Sequence, residues 1–244
     1  MMMKRRKFFV KTVGLAAALT AWPSLREIFP VTTAEKKEAK GLTTPNATLK
    51  PPAKGRIGVA VAISEGVTVI DFAGPWEVFQ DTMTGDEMAF QLFTVSEKTE
   101  MVEGSAGLKL VPDYTFANAP ECKVIVIPAQ KGSAGLHEWL RKVSPTTDVT
   151  MSVCTGAFQL AKAGLLDGKT ATTHHDFLDQ LEEKFPKVKV RRGVRFVEGE
   201  RISTAGGLSS GIDLALRVVE RYFGRQIAQR TATYMEYQGT AWIT

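Results

Sequence analysis

The sequence predicts an α/β domain whose central sheet is mostly parallel and is covered by helices on both faces. Short apolar runs without polar alternation, typical of strands buried on both faces, lie at residues 56–63, 90–95, 124–127 and 149–153. Segments with helical spacing lie between these runs, and a repeated strand–helix order requires right-handed crossovers. The length of 244 residues and the hydrophobic content of 44% suit one such domain with a short appendage.

The appendage, residues 1–34, is predicted to be a twin-arginine export signal. A basic stretch at residues 4–11, which contains RRKFF, precedes an apolar run at residues 13–22 that is shorter than the roughly 20 residues of a membrane span. An ordinary basic helix is the alternative, and an uncleaved, membrane-tethered form stays open. Residues 35–54 are charged or rich in Pro and Thr and are predicted to be a flexible linker. Residues 55–244 form the predicted domain, which we expect to be periplasmic or otherwise extracytoplasmic.

The charge distribution gives no general case for binding nucleic acid. Residues 1–34 hold six of the 31 Lys and Arg and one of the 26 Asp and Glu, so the remaining residues carry 25 of each. A near-neutral domain is not expected to bind nucleic acid. The small cluster of Arg191, Arg192 and Arg195 is interpreted as a solvated strand edge.

The other elements follow in chain order. A helix is predicted at residues 75–83, a hairpin or short antiparallel addition at 105–114, and helices at 136–143 and 155–166. Residues 195–204 are predicted to be a hairpin that turns at residues 198–200. Ser209 or Ser210 can cap the next helix, whose apolar stripe is Ile212, Leu216, Val219 and Phe223. Gly224 separates it from a last helix.

Cys154 is the main candidate for chemistry. It follows the strand at 149–153, at the carboxyl edge of the sheet where α/β folds bind ligands. Free N–H groups and the positive end of the next helix favour a thiolate there, so we expect the cysteine pKa to fall from about 8.5 to about 3.5–7.5. Gly156 permits close backbone approach, and the Thr155 N–H can face a substrate. An inert, buried cysteine is the alternative.

A disulfide between Cys122 and Cys154 is not expected. Cys122 lies at the start of the run 124–127, whereas Cys154 lies just past the end of 149–153. In neighbouring parallel strands the two thiols would be at opposite edges, beyond the roughly 7 Å between Cα atoms that bridging allows. Cys122 is therefore predicted to be structural and Cys154 to be free.

Asp71 is the candidate partner that manages protons for the thiol. It follows the first strand by a short loop, and its neighbours Ile70 and Phe72 partly desolvate the carboxyl group, which raises its pKa. Capping of the helix that begins near Pro75 is its alternative role. The hydroxyl of Thr155 is the third candidate, again with helix capping as the alternative.

His174 and His175 open another predicted helix. Adjacent residues on a helix point in different directions, so one site does not easily use both. We expect His174 to line the pocket and His175 to be exposed, with no metal and no cofactor bound. Gly206-Gly207 is interpreted as a tight turn, since the segment lacks the spacing of a phosphate-binding loop.

Four ordered motifs resemble the DJ-1/PfpI superfamily, of the class I glutamine amidotransferase-like type. They are DFAGP at 71–75, SVCTGA at 152–157, AGLLDGKTATTH at 163–174 and AGGLSSGID at 205–213. Within the superfamily they are similar to the branch with isonitrile hydratase and the amidotransferase-like domains of AraC-type regulators. The resemblance covers residues 56 to about 238. It implies a flavodoxin-like three-layer αβα sandwich, a nucleophile elbow at the cysteine, and a homodimer.

The resemblance also implies site roles. Cys154 would be the nucleophile, assisted by Asp71 and Thr155, in the hydration of an isonitrile to an N-substituted formamide. Many relatives carry Pro-Gly-Gly in the oxyanion loop after the third main strand, where this chain carries Pro128-Ala129-Gln130.

The predicted pocket around the nucleophile consists of Ala129, Gln130, Gly156 and His174. The sequence thus favours an exported, cysteine-dependent hydratase or hydrolase acting on a small neutral molecule. A non-catalytic module that binds a small molecule is one alternative, although the chain leaves no room for a DNA-binding domain after Tyr237. A redox or carbonyl-stress protein that uses the same thiol is the other.

Overall fold

The computed structural model describes residues 42–43 and 48–243. The predicted export signal, residues 1–34, and much of the predicted linker lie outside the described residues. In the part of the chain that is described, no helix combines the length and the apolar character that crossing a membrane requires.

Short strands and helices alternate along the described chain. The strands are β1 (Leu42–Thr43), β2 (Ile57–Ala62), β3 (Met83–Thr84), β4 (Glu87–Met88), β5 (Phe90–Ser96), β6 (Val102–Glu103), β7 (Lys109–Leu110), β8 (Tyr114–Thr115), β9 (Val124–Ile127), β10 (Val149–Val153), β11 (Thr170–Ala171), β12 (Lys189–Val190), β13 (Phe196–Glu198) and β14 (Ile202–Ala205). The helices are α1 (Val69–Gln80), α2 (Ala134–Val143), α3 (Gly156–Lys162), α4 (Leu178–Lys184), α5 (Ser210–Phe223) and α6 (Arg225–Tyr234).

Eight strands form the central sheet, in the order β1-β13-β14-β10-β9-β2-β5-β8. Neighbouring strands pair in parallel except β13 with β14, which form the predicted antiparallel hairpin. The run β5-β2-β9-β10-β14 has the doubly wound strand order 2-1-3-4-5 of flavodoxin-like sheets. The predicted mostly parallel α/β architecture is therefore confirmed.

Alternating strand residues face two separate hydrophobic cores, one on each side of the sheet. Val59 and Val61 of β2 pack with α1, α5 and α6 on one face. Ala60 and Ala62 pack with α2, α3 and Leu181 of α4 on the other. Because successive strand side chains point to opposite faces, the unbroken apolar runs follow from burial on both sides. The result is the three-layer sandwich that the resemblance implies.

Helix α1 begins at Val69, earlier than the predicted start at Pro75. Pro75 lies inside this helix, where proline removes one backbone N–H bond and crowds the carbonyl of residue i−4, so the packing of the segment must outweigh that cost. A Cβ atom on Gly74 would lie 2.9 Å from Cγ1 of Ile212, which shows how closely α1 approaches α5. The earlier start places Asp71 inside the first turn of the helix rather than before it.

Helix α3 ends at Lys162, before the predicted Leu166. Gly164 has a φ of 77°, and the N–H groups of Gly164 and Leu165 return to the carbonyl oxygens of Ala161 and Leu160 at 2.9 and 3.0 Å. This glycine-based cap terminates the helix.

Part of the predicted flexible linker lies on the domain. Leu42–Thr43 pairs in parallel with β13. Leu49 packs against the core, and its N–H donates to the Arg221 carbonyl oxygen at 2.8 Å. These residues therefore form an edge of the folded domain, contrary to the expectation of a free linker.

The region predicted as a hairpin at residues 105–114 also differs in detail. The antiparallel ladder joins β6 to β7, and Tyr114–Thr115 then adds to the central sheet in parallel with β5. The edge strand β8 is thus a parallel addition, not an antiparallel one.

Candidate active site

Cys154 occupies a strained turn between β10 and α3. Its φ is 57°, a left-handed conformation that costs non-glycine residues about 1–3 kcal/mol. Two bonds hold this turn: the Cys154 N–H donates to the Gly206 carbonyl at 2.8 Å, and the Thr173 hydroxyl donates to the Cys154 carbonyl at 2.8 Å. A strand, a strained residue and a helix in this order form the nucleophile elbow that the resemblance implies.

Gly156 allows the elbow to pack against the end of β9. A Cβ atom at this position would overlap the carbonyl oxygen of Ile127 and would lie 2.9 Å from that of Pro128. The backbone at Gly156 therefore makes the predicted close approach, and the group that it approaches is the end of the neighbouring strand β9. Glycine at 156 is a packing requirement of the turn.

Asp71 lies in the first turn of α1 and is fully buried. Its Oδ2 accepts the Ala129 N–H at 3.1 Å, whereas Oδ1 accepts no bond of standard geometry from the described residues. Burial is the main reason why the pKa of Asp71 is raised from 3.8 to about 6; the Ala129 N–H, the Cys154 thiol and the Leu208 N–H oppose part of that rise. Thr68, not Asp71, is the N-cap residue of α1.

Cys154 is adjacent to this carboxyl group, and its thiol is not the preformed thiolate that we expected. Burial raises the pKa of the Cys154 thiol to about 11, and the negative charge of Asp71 adds to the rise. The N–H groups of Thr155 and Leu208 act in the opposite direction and are outweighed. Cys154 is only 7% exposed, so the loss of hydration dominates over the helix N-terminus.

The topology explains why these groups meet. Asp71 follows β2, Ala129 follows β9, and Cys154 follows β10. The strand order reverses between β2 and β9, and ligands of doubly wound sheets bind at that switch point. The bond from the Ala129 N–H to Asp71 crosses it.

The Ala129 N–H and the Gln130 side chain are not available for the predicted oxyanion role. The Ala129 N–H is committed to Asp71. The Gln130 Nε2 donates to the carbonyl oxygens of Ala62 at 2.8 Å and Pro128 at 3.4 Å, while its buried Oε1 has no hydrogen-bond partner among the described residues. An acceptor cannot stabilise a developing anion. The N–H groups that do act on the thiol are those of Thr155 and Leu208.

Leu208 is a site residue that sequence reasoning missed. Its φ is 53°, and it directly follows the predicted tight turn Gly206-Gly207. The two glycines of the AGGLSSGID motif are the feature of the sequence that indicates a sharp turn next to Leu208. Cys154 and Leu208, both in strained conformations, thus frame the thiol from two loops.

Thr155 is half-buried at the N-cap position of α3. Its side chain makes no capping bond, so the structure does not support the capping alternative. Its N–H contributes to the thiol environment, as expected.

His174 borders the same loop. Its Cδ2 occupies the space that a Cβ atom on Gly207 would fill, and its side chain is 18% exposed against 80% for His175. The two rings stack with centroids 4.3 Å apart, so the argument that neighbouring imidazoles must diverge is wrong here. With Asp176 they offer metal-ligand atoms within 4.8 Å of one another, where we expected no metal site. His174 Nδ1 already accepts the Asp176 N–H at 3.3 Å.

Arg195 supports the Leu208 loop and is not part of a solvated edge. Its Nε and Nη2 donate to Oδ2 of the fully buried Asp213 at 2.8 and 2.6 Å. Its carbonyl oxygen accepts the Gly206 N–H at 2.8 Å, and Nη2 also donates to the Ser209 hydroxyl at 3.2 Å. The Arg195 backbone therefore holds the Gly206 end of the loop, and the Arg195 side chain holds the Ser209 end.

Cys122 is free and buried, as is Cys154. Val149 pairs with Val124 in the parallel ladder of β10 and β9, which puts the two cysteines at opposite ends of neighbouring strands. The prediction that they form no disulfide is confirmed. Burial raises the pKa of Cys122 to about 12, so this thiol is not a competing nucleophile.

A cavity of about 330 Å³ reaches Thr155, the residue that follows Cys154. A larger cavity of about 750 Å³ surrounds the turn between β13 and β14, at the opposite end of the sheet. The larger cavity contains no predicted site residue, whereas the smaller one is lined by Gln130 and Thr155 but by neither Cys154 nor Asp71.

Comparison with known proteins gives three informative matches. The isonitrile hydratase of Pseudomonas putida is 33% identical over 180 residues, which cover 70% of this chain and 74% of that protein. The HTH-type transcriptional regulator GbdR of Pseudomonas aeruginosa is 24% identical over 207 residues, or 81% of this chain but only 55% of the regulator. The solved structure of a THiJ/PfpI family protein from Pseudomonas syringae has a TM-score of 0.66 at 26% identity, covering 78% of each chain.

The profile of the DJ-1/PfpI family matches residues 58–221. This interval extends from the first long strand of the central sheet through most of α5, so it includes both loops that frame the thiol. Sequence profile, relatives and architecture agree. The chain belongs to the DJ-1/PfpI family.

Proposed function

We propose that this protein is a cysteine-dependent hydratase or hydrolase of small molecules, with isonitrile hydration as its reaction. The observation that carries the proposal is the buried Asp71 carboxyl group, with a pKa of about 6, beside the thiol of the elbow. A group that titrates close to neutral pH is suited to accept and return a proton. The similarity to the isonitrile hydratase of Pseudomonas putida supports the choice of substrate.

The two pKa values define the resting state of the site. With a thiol pKa of about 11 and a carboxyl pKa of about 6, the proton is on sulfur and the negative charge on Asp71 at neutral pH. Asp71 therefore acts as the general base: it takes the thiol proton as sulfur bonds to the terminal carbon of the isonitrile. Asp71 then gives that proton to the same carbon, which yields a thioimidate.

Hydrolysis of the thioimidate completes the reaction. Asp71 takes a proton from water as the water oxygen bonds to the thioimidate carbon, and Thr155 can relay that proton from Asp71 to the nitrogen. The carbon–sulfur bond then breaks and the carbonyl forms as Asp71 transfers the remaining hydroxyl proton to sulfur, which regenerates the protonated thiol and releases the N-substituted formamide. The Thr155 and Leu208 N–H groups are placed to stabilise negative charge on sulfur during both steps.

Turnover of cyclohexyl isocyanide, followed by chromatography of the formamide, tests this mechanism. We expect kcat/KM to rise with pH through about 6, because only the ionised Asp71 is a base. Cys154→Ser and Asp71→Asn should each lower kcat/KM at least about 100-fold, the size of a typical acid–base contribution. Full activity of Asp71→Asn, or a rate that rises only above pH 8, would contradict the proposal.

A ligand-binding module without catalysis is the second candidate. It is favoured by the low exposure of Cys154, at 7%, and by the match to about half the length of a transcriptional regulator. This candidate predicts that the wild-type protein turns over none of the isonitriles offered and that Cys154→Ser leaves ligand affinity unchanged.

We also propose an extracytoplasmic location and a homodimer. The RRKFF sequence within residues 4–11 supports export by the twin-arginine route, and the family resemblance supports the dimer. Neither proposal involves nucleic acid as a partner, since the charge of residues 35–244 is balanced.

A further inference from the structure

The cavity beside Thr155 has a distinctive combination of side chains. It is lined by three lysines, three phenylalanines, three glutamines and one threonine: Lys131, Lys162, Lys184, Phe158, Phe177, Phe185, Gln130, Gln159, Gln180 and Thr155. No aspartate or glutamate of the described chain lines it. Its wall is therefore positively charged, although the domain as a whole is nearly neutral.

The three ammonium groups have no competing partners within the described chain. Lys131, Lys162 and Lys184 are exposed, and none forms an ion pair or a side-chain hydrogen bond with another described residue. Arg192, which does not line the cavity, is by contrast paired with Asp179 and with Glu182. Three such cations around one concave space attract an anion.

The apolar part of the wall is ordered and partly open. Phe158 and Phe185 form an edge-to-face pair with ring centroids 6.1 Å apart, and Phe158 is 9% exposed. Phe177 remains 38% exposed. Such faces suit an aromatic or aliphatic body of a ligand.

The cavity floor is held in place by Gln159. Its Nε2 donates to the Gln130 carbonyl oxygen at 3.0 Å, and its Oε1 pairs with His137 Nε2 at 2.8 Å. A Cβ atom on Gly132 would overlap the same amide. The loop that carries Lys131 is therefore fixed to α3 before a ligand arrives, so little ordering opposes binding.

We propose that this cavity binds a small organic anion, with the carboxylate among the lysines and the apolar body against the phenylalanines. The identity of the substrate rests on the proposed function: if the protein hydrates isonitriles, its substrate would be an isonitrile that carries a carboxylate. The volume of about 330 Å³ accommodates a small aromatic acid such as phenylacetate.

Calorimetric titration of the full chain with phenylacetate and with neutral phenylacetamide tests the binding. We expect phenylacetate to bind about tenfold more tightly, and this preference to shrink in about 0.5 M salt because exposed charges are screened. Lys162→Met/Lys184→Met should weaken phenylacetate binding about tenfold. The control Lys98→Met/Lys109→Met removes the same charge at exposed positions outside the cavity and should leave the affinity unchanged.

Equal affinity for the acid and the amide, or equal losses in the two lysine pairs, would overturn the inference. Turnover of isocyanoacetate and its methyl ester separates this failure from failure of the proposed function. Selective phenylacetate binding without turnover of either isonitrile supports the anion site and refutes the hydratase. Turnover of both isonitriles with equal kcat/KM, and no preference for phenylacetate, supports the hydratase and refutes the anion site.

Discussion

Replacing Asp71 with asparagine should stabilise the protein at neutral pH while removing the proposed isonitrile hydration. Asparagine keeps the shape and an oxygen that accepts the Ala129 N–H, so the change removes mainly the buried charge. The pKa of Asp71 rises from 3.8 to about 6 on folding, and at about 1.36 kcal/mol per pKa unit the ionised carboxylate costs the folded state about 3 kcal/mol.

The pH dependence carries the signature of this charge. A carboxyl group whose pKa is raised in the folded state favours folding below its unfolded pKa of 3.8, and that contribution is lost as pH rises through about 6. Relative to wild type, Asp71→Asn should therefore gain about 2 kcal/mol in the free energy of unfolding between pH 4.5 and pH 7.5.

Urea denaturation of the full chain across this pH range measures the difference. Asp86→Asn, at an exposed turn position between β3 and β4, is the matched control and should show no such gain. If the difference in unfolding free energy between Asp71→Asn and the wild type were the same at every pH, folding would not raise the pKa of Asp71, and the argument for a buried, proton-accepting carboxylate would be wrong.

Two further predictions test the elbow. Alkylation of Cys154 by iodoacetamide, followed by mass spectrometry, should have its half-point far above pH 8.5, since the thiol pKa is raised to about 11, and Asp71→Asn should move that half-point down by removing the adjacent charge. A plateau that persists below pH 7 in the wild type would refute the burial argument. Gly156→Ala should destabilise the fold by more than about 3 kcal/mol because its Cβ would overlap the Ile127 carbonyl, whereas Gly135→Ala meets only the flexible Glu97 side chain and should be nearly neutral in urea denaturation.

The sequence alone predicts the mostly parallel sheet, and it predicts that Asp71 lies near Cys154. Unbroken apolar runs predict buried parallel strands, and parallel strands bring the residues that follow them to one edge. The sequence could not predict the thiol pKa. The helix N-terminus is visible in a sequence, but the burial of Cys154 and its contact with a charged carboxyl group arise only from the assembled fold.

Two predictions differ from the structure for similar reasons: the oxyanion role of Ala129, and the flexible linker that includes Leu42–Thr43. The Ala129 N–H is used by a residue 58 positions earlier, and no local pattern reveals such a partner. Leu42–Thr43 forms a strand of two residues, too short to show periodicity. The left-handed conformation of Leu208 belongs to a turn that is bonded to Arg195, the residue just before β13.

The backbone conformations of Cys154 and Leu208 have a consequence for directed evolution. Both residues hold φ values, 57° and 53°, that glycine adopts without penalty. A library selected for thermal resistance alone would therefore enrich glycine at both positions. Such a selection would replace the Cys154 thiol, so a library designed for stability must be screened for the proposed activity at the same time.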